Sequence, residues 1–296
     1  MNLGRIITAM ITPFDEAGAA DPGEAARIAR WLVDRGNDGL VIAGTTGEGP
    51  TLTVDERMQL FASVKEAVGD SAAVIANTGG NDTRSSVALT KEAQATAVDA
   101  ILAVVPYYNK PTQEGMIAHF GALAEATSLP IIIYNIPGRT GVNMLPETLL
   151  ELARSHKNIV GVKESSGDVA QFSEILRNRA EGFLFYCGDD HLFLPSLALG
   201  GDGVVGVASH FCSREYQRMA EAIHGGRVAE ACGIHYDLVP LINALFATTS
   251  PIPVKWGMNH LGFKTGETRL PLCGMPKELQ HRLKRLLEPF TKTAAA

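Results

Sequence analysis

The chain has 296 residues, of which 46% are hydrophobic and 20% are charged, a balance that indicates a globular protein with an ample core. Its 26 Lys and Arg against 32 Asp and Glu give a net charge of −6 without a basic stripe, which argues against a nucleic-acid partner. The four scattered cysteines predict reduced thiols, and the N-terminus lacks the apolar core of a signal peptide. With no apolar run long enough for a bilayer, we expect a cytoplasmic protein that does not associate with membranes.

Short apolar runs alternate with helical patterns roughly every 20 to 30 residues along most of the chain. Most of these runs are apolar on both faces, as a parallel sheet covered by helices requires. The predicted strands are Ile6–Met10, Gly39–Ala43, Ala73–Asn77, Ala100–Val105, Ile131–Ile136, Ile159–Glu164, Phe183–Gly188 and Gly203–Ser209.

Helix-start signals separate the predicted strands. Thr53 and Glu56 form a capping box, and Pro146 stands at a first-turn position that proline tolerates. Eight such units predict an α/β fold, a (β/α)8 TIM barrel over residues 1–224, with a doubly wound open sheet as the alternative. The strand pattern then stops, so residues 225–296 are predicted to be a C-terminal helical extension that packs on the barrel as part of one structural unit.

The active site of such a barrel lies where the strands end, so the residues after each strand are the candidates for chemistry. The second strand runs into a loop, Gly44 to Gly49, that contains the hydroxyls of Thr45 and Thr46 between glycines. Free backbone N–H groups beside two hydroxyls suit a small carboxylate, although an ordinary glycine-rich turn is the alternative. No Gly-Lys-Ser/Thr follows, which makes a nucleotide site improbable.

The fourth and fifth strands end in tyrosines. Tyr107 and Tyr108 follow the fourth strand, Tyr134 ends the fifth, and Arg139 stands in the loop after it. One tyrosine at a strand end is usually a half-buried core residue, but tyrosines on neighbouring strands beside a lysine suggest a proton relay. The arginine fork suits a substrate carboxylate, and a surface ion pair is its alternative role.

Lys163 ends the apolar sixth strand, two residues after Gly161. Burial disfavours a charged amine, and a neutral lysine can attack a carbonyl to form a Schiff base. Because side chains alternate along a strand, Gly161 lies on the same face and would leave space beneath Lys163. The alternative is a lysine that only marks where the strand reaches water.

No other motif competes strongly. Asp189-Asp190-His191 could suggest a metal, but the histidines lack zinc-site spacing and paired aspartates are common at helix starts. We therefore expect no metal and no cofactor.

Several blocks together resemble the class I aldolases related to N-acetylneuraminate lyase. The resemblance covers nearly the whole chain. The blocks that carry it are 8–14, 44–48, 107–115, 134–141, 161–164, 188–190 and 250–255.

The resemblance implies a Schiff-base lyase in which Lys163 forms an imine with pyruvate. Thr45, Thr46 and the backbone near Gly188 and Val205 would hold the pyruvate, and no cofactor beyond the covalent imine would be needed. The second substrate implied is L-aspartate 4-semialdehyde.

The family's proton relay corresponds to Tyr134, Thr45 and Tyr108, with Tyr108 reaching in from a neighbouring subunit of a homo-oligomer, expected to be a tetramer of two dimers. Arg139 would bind the carboxylate of the aldehyde. Its presence argues against the rival within the family, an aldolase that cleaves a sialic acid or a deoxy sugar acid. A non-catalytic 2-keto-acid sensor would be expected to have lost Lys163 or Tyr134.

Members inhibited by L-lysine carry two histidines on the second helix and a glutamate after the third strand. Here Val54, Arg57 and Ser85 stand at those positions, whereas Asn81 and Tyr107 are kept. The resemblance therefore implies that L-lysine inhibits weakly or not at all.

Overall fold

The structure is a computed structural model that describes residues 3–291. Over this range, eight parallel strands close into a barrel in which each strand pairs with its neighbours in the chain and the first pairs with the last. The predicted TIM barrel is confirmed, and the open-sheet alternative is wrong. The strands are β1 Ile6–Ala9, β2 Gly39–Ile42, β3 Ala73–Asn77, β4 Ala100–Val104, β5 Ile131–Asn135, β6 Ile159–Glu164, β7 Leu184–Cys187 and β8 Gly203–Gly206.

The predicted strand bounds agree to within one residue for β1 to β7, but the eighth strand was predicted too long. β8 ends at Gly206 and Ser209 already begins a helix. The carboxylate of Asp190 accepts the backbone N–H groups of Val207 and Ala208, at 3.0 and 3.2 Å. These donors are therefore taken by a side chain, which ends the strand early.

Helices cover the outside of the barrel, and three more follow the eighth barrel helix, α9. The capping box of Thr53 and Glu56 and the helix start at Pro146 are both confirmed. None of the helices described over residues 3–291 is both long and apolar enough to cross a bilayer. The helices are α1 Pro22–Asp34, α2 Val54–Val68, α3 Thr83–Gln94, α4 Gln113–Ala126, α5 Pro137–Thr140, α6 Pro146–Ser155, α7 Val169–Asn178, α8 Phe193–Ala198, α9 Ser209–His224, α10 Val228–Leu245, α11 Ile252–His260 and α12 Lys277–Thr291.

The apolar core has two parts, because alternate side chains of each strand face opposite sides of the sheet. Ile131 and Ile133 of β5 point outward into the larger cluster between sheet and helices. Ile132 and Tyr134 point into a smaller cluster that fills the barrel interior, together with residues such as Val205. The interior is thus a packed core and not a pore, so a substrate can be received only at its rim.

The helices α10 to α12 pack against each other and against α9. The division of the chain into a barrel that ends at residue 224 and an extension that begins at 225 stays a prediction.

Candidate active site

Lys163 lies at the rim of the barrel interior, one residue before the end of β6. In the sheet register it stands beside Tyr134 of β5 and Tyr186 of β7. Only 6% of the lysine is exposed, and its Nζ lies 4.1 Å from the centre of the Tyr134 ring. The sequence prediction of a buried lysine beside a strand-end tyrosine is confirmed as geometry.

A glycine opens the space beside this amine, but it is not the one predicted. A Cβ on Gly161 would meet the backbone oxygen of Leu184 at 2.7 Å, so that glycine serves the close approach of β6 and β7. A Cβ on Gly188 would lie 2.9 Å from Cε of Lys163 and 2.0 Å from Oγ of Ser165. Gly188, which follows β7, therefore leaves the room that Lys163 occupies.

A cavity of about 180 Å³ opens at the same end of the barrel. At roughly 30 Å³ per water, it has room for about six waters or one small organic acid. Thr45, Tyr134 and Arg139 line it, together with Tyr107 and Arg57. Lys163 lies against the Tyr134 ring, next to the cavity. Three of the eight predicted site residues, Thr45, Tyr134 and Arg139, thus line one cavity, and Lys163 contacts one of them.

The loop after β2 has an unusual backbone. Ala43 and Glu48 adopt left-handed conformations, with φ of 57° and 52°, although neither is a glycine. A Cβ on Gly49 would lie 2.2 Å from the carbonyl oxygen of Ala43, so only glycine fits there. Within this tight loop Thr46 is buried, and Thr45 is exposed at the cavity wall.

A buried ion pair supports this loop, and the sequence reading did not foresee it. Nζ of Lys255, in α11, lies 2.7 Å from Oε1 of Glu48, and the two side chains are 2% and 1% exposed. Desolvation lowers the pKa of Lys255 to about 8, while Glu48 opposes that shift. The sequence shows only a glutamate in a glycine-rich loop and a lysine far along the chain, so no local pattern pairs them.

A second polar group missed from the sequence is the carboxyl of Glu164, behind Lys163. It accepts hydrogen bonds from the amides of Asn135 and Gln171 and from the backbone N–H of Ser166. Burial raises the pKa of Glu164 above its usual range. Asn135 follows Tyr134 and Glu164 follows Lys163, so the two side chains point to the same face of neighbouring strands. This alternation could have predicted the contact between Asn135 and Glu164.

Within a single copy of the protein, the predicted relay residue Tyr108 does not line the cavity with Thr45 and Tyr134. Its side chain is 88% exposed, and its backbone is left-handed with φ of 72°. Its neighbour Tyr107 lines the cavity.

Arg139 lies on the single-turn helix α5, with its side chain exposed at the cavity. Over residues 3–291 its guanidinium takes part in none of the ion pairs found. Val205 is buried in the barrel interior and Gly188 is half-buried beside Lys163.

The acidic pair after β7 has structural contacts. Asp189 caps a short 3-10 helix, and Asp190 accepts from Tyr216 as well as from the backbone after β8. Across the described residues, no cluster of three or more His, Cys, Asp or Glu side chains is arranged to hold a metal ion.

Comparison with known proteins gives a consistent result. Residues 2–289 match the model of the dihydrodipicolinate synthetase family. The 4-hydroxy-tetrahydrodipicolinate synthase of Moorella thermoacetica is 51% identical over 97% of this chain and 98% of its own. A dihydrodipicolinate synthase structure from Cyanidioschyzon merolae, described as having lysine bound, aligns with a TM-score of 0.94, 46% identity and coverage of 96% and 97%. A structure described as the first monomeric dihydrodipicolinate synthase variant aligns with a TM-score of 0.93, 37% identity and coverage of 96% and 95%.

Proposed function

We propose that Lys163 is the Schiff-base lysine of a dihydrodipicolinate synthetase, the family to which this chain belongs. The protein condenses pyruvate with L-aspartate 4-semialdehyde to 4-hydroxy-tetrahydrodipicolinate, a step of lysine biosynthesis. The observation that supports this role is the buried amine of Lys163 against the Tyr134 ring, next to a cavity sized for a small acid. The reaction class and the site geometry point to the same residue.

In the proposed mechanism, the neutral amine of Lys163 attacks the ketone of pyruvate and water leaves, forming an iminium. The iminium accepts the electron pair when the pyruvyl methyl group loses a proton, so we propose that no cofactor is required. The resulting enamine attacks the aldehyde carbon of the second substrate. The amino group of that substrate then displaces Lys163 from the imine carbon and closes the ring.

We assign the supporting roles to the residues around the cavity. Thr45, Thr46 and the backbone at Gly188 and Val205 would hold pyruvate. Tyr134 would move protons at each step through its hydroxyl, and its ring lies against the amine.

The experiment that tests this assignment is borohydride reduction with pyruvate, followed by peptide mapping. We expect the trapped pyruvyl group on Lys163. The same protein should turn over pyruvate with L-aspartate 4-semialdehyde and leave N-acetylneuraminate uncleaved, which separates it from the rival sugar-acid aldolases of the superfamily. An adduct on another lysine would contradict the site, whereas cleavage of the sialic acid would contradict the substrate.

We propose that the active enzyme is a homo-oligomer, a tetramer of two dimers, located in the cytoplasm. The exposed Tyr108 supports the oligomer, because aromatic residues are enriched in interface cores. The four unpaired cysteines support the cytoplasmic location, where thiols stay reduced. Because one relative of the same fold is described as monomeric, the barrel alone does not dictate association.

Sedimentation velocity is expected to show a tetramer. Tyr108→Phe is expected to lose at least about tenfold in kcat, since a relay residue without its hydroxyl cannot pass a proton. Tyr236→Phe is the matched control, because Tyr236 of α10 is 68% exposed and lies outside the proposed site. A monomer that keeps full activity at the same dilution would contradict a shared site.

We expect L-lysine to inhibit weakly or not at all. Arg57 donates to the carbonyl oxygen of Gly49 and lines the cavity beside Tyr107, so a cation placed there would be repelled. Glu56 and Asp82, the two carboxylates that could take over the role of the missing glutamate, are already engaged. Arg269 holds the pKa of Glu56 at about 2, and Asp82 caps α3 through Ser85. An unpaired buried cation costs several kcal/mol.

The measurement is the initial rate at rising L-lysine concentration. A triple variant, Val54→His, Arg57→His and Ser85→Glu, is expected to gain inhibition because it restores the pattern of inhibited members. Half-inhibition of the unchanged protein at sub-millimolar L-lysine would show that this charge argument is wrong.

A further inference from the structure

The buried pair of Glu48 and Lys255 joins parts of the chain that are 207 residues apart. One oxygen of the Glu48 carboxylate accepts from Nζ of Lys255, and the other accepts the backbone N–H of Arg269 at 2.8 Å. The amine also lies 3.8 Å from the centre of the Phe14 ring. Both oxygens of a carboxylate in the β2 loop are therefore satisfied by groups that follow the barrel in the chain.

The loop held by this pair is the one that carries Thr45 and Thr46. The backbone N–H of Glu48 donates to the carbonyl of Thr45 at 3.1 Å, so any displacement of Glu48 is passed directly to Thr45. On the opposite side, the hydroxyl of Thr12 donates to the carbonyl of Gly47 at 2.7 Å. The loop is thus fixed between the segment that follows β1 and the C-terminal part of the chain, which contributes Lys255 and Arg269.

The left-handed backbone of Ala43 and Glu48 indicates that this fixation has a function. Non-glycine residues keep such conformations only where the surrounding contacts enforce them, and they gather at ligand-binding sites. A buried ion pair also contributes little net stability compared with apolar residues of similar size, but it demands one geometry. Both features suit a loop whose position matters more than its stability.

We propose that Lys255 is a positioning residue that acts through Glu48 to hold Thr45 and Thr46 where they receive the carboxylate of pyruvate. The C-terminal helices would then complete the site without touching substrate. The inference rests on the proposed role of these threonines. If Lys255 is removed, the buried Glu48 carboxylate loses its counter-charge and moves toward water, and the hydrogen bond to Thr45 moves the loop with it.

The test is steady-state kinetics of Lys255→Met, which removes the charge and keeps an unbranched side chain. We expect the KM for pyruvate to rise at least tenfold, while the KM for L-aspartate 4-semialdehyde and the kcat at saturating pyruvate stay within about threefold. The double variant Glu48→Gln, Lys255→Met leaves no buried charge, and its KM for pyruvate is expected to recover at least threefold. Lys65→Met is the matched control, because Lys65 of α2 pairs with Asp99 away from the loop.

A KM for pyruvate within twofold of the unchanged protein in Lys255→Met would overturn the proposal, as would a loss of kcat at constant KM. If Lys255→Met does not fold, Glu48→Gln keeps the hydrogen-bonding oxygen without the charge. It should then raise the KM for pyruvate at least threefold, and an unchanged KM would again overturn the proposal. Borohydride trapping on the unchanged protein tests Lys163 separately, so failure of the proposed function is distinguishable from failure of this inference.

Discussion

Lys163→Arg is expected to retain the positive charge at the barrel rim and to lose kcat by at least about a thousandfold, as removal of a nucleophile does. A guanidinium cannot form the imine with pyruvate, because it stays protonated and its nitrogens are delocalised. The effect should appear in kcat at saturating concentrations of both substrates. Borohydride treatment with pyruvate should leave this variant unlabelled, as measured by intact mass.

Lys157→Arg is the matched control, since Lys157 is exposed just before the same strand and should tolerate the change. Lys255 and Lys110 are the other amines to map. Lys255 is engaged by Glu48, and Lys110 is exposed in the loop after β4. A pyruvyl adduct on either of these residues would show that the assignment of Lys163 is wrong.

Arg139→Ala is expected to raise the KM for L-aspartate 4-semialdehyde far more than the KM for pyruvate. A hydrogen-bonded contact between a guanidinium and a carboxylate contributes about 1.5–3 kcal/mol, which corresponds to roughly 10- to 150-fold. The prediction rests on the exposed fork of Arg139 at the cavity wall, on a different loop from Thr45 and Thr46. The measurement is the KM for each substrate with the other held saturating.

Arg139→Lys should recover only part of this loss, because an ammonium group does not offer the planar two-donor fork. Arg177→Ala serves as the control, since Arg177 forms an exposed ion pair with Glu174 on α7. Equal increases in both KM values would mean that Arg139 shapes the loop after β5 and does not bind the aldehyde.

The parts of the site that could be predicted from the sequence are those encoded by strand periodicity. Tyr134 and Lys163 each stand one residue before the end of neighbouring strands, and alternation puts both in the barrel interior, where the structure finds them in contact. The prediction that Gly161 leaves space beneath Lys163 was wrong, because periodicity gives the face of a glycine but not the neighbour that approaches it. The structure gives Leu184, and it assigns the space beside Lys163 to Gly188.

Contacts between distant segments could not be predicted in this way. Glu48 and Lys255 meet only because the C-terminal helices fold back onto the rim, and neither residue has a local signal for the other. The early end of β8 has the same origin, since it depends on the carboxylate of Asp190 from the preceding unit. Strand periodicity also cannot predict the proposed role of Tyr108, because that role needs a second copy of the chain.

Closure of the barrel between β1 and β8 also has a consequence for how the protein is made. The hydrogen-bonding edge of β1, at Ile6 to Thr8, finds its partner only in Val204 to Gly206. At ribosomal rates of about 5–20 residues per second, that edge waits roughly 10 to 40 seconds for β8 to be synthesised. During this interval the nascent chain exposes one edge of an apolar strand without a partner, the kind of edge that recruits other strands. Newly made chains are therefore expected to depend on molecular chaperones far more than the finished barrel, which leaves no strand edge open.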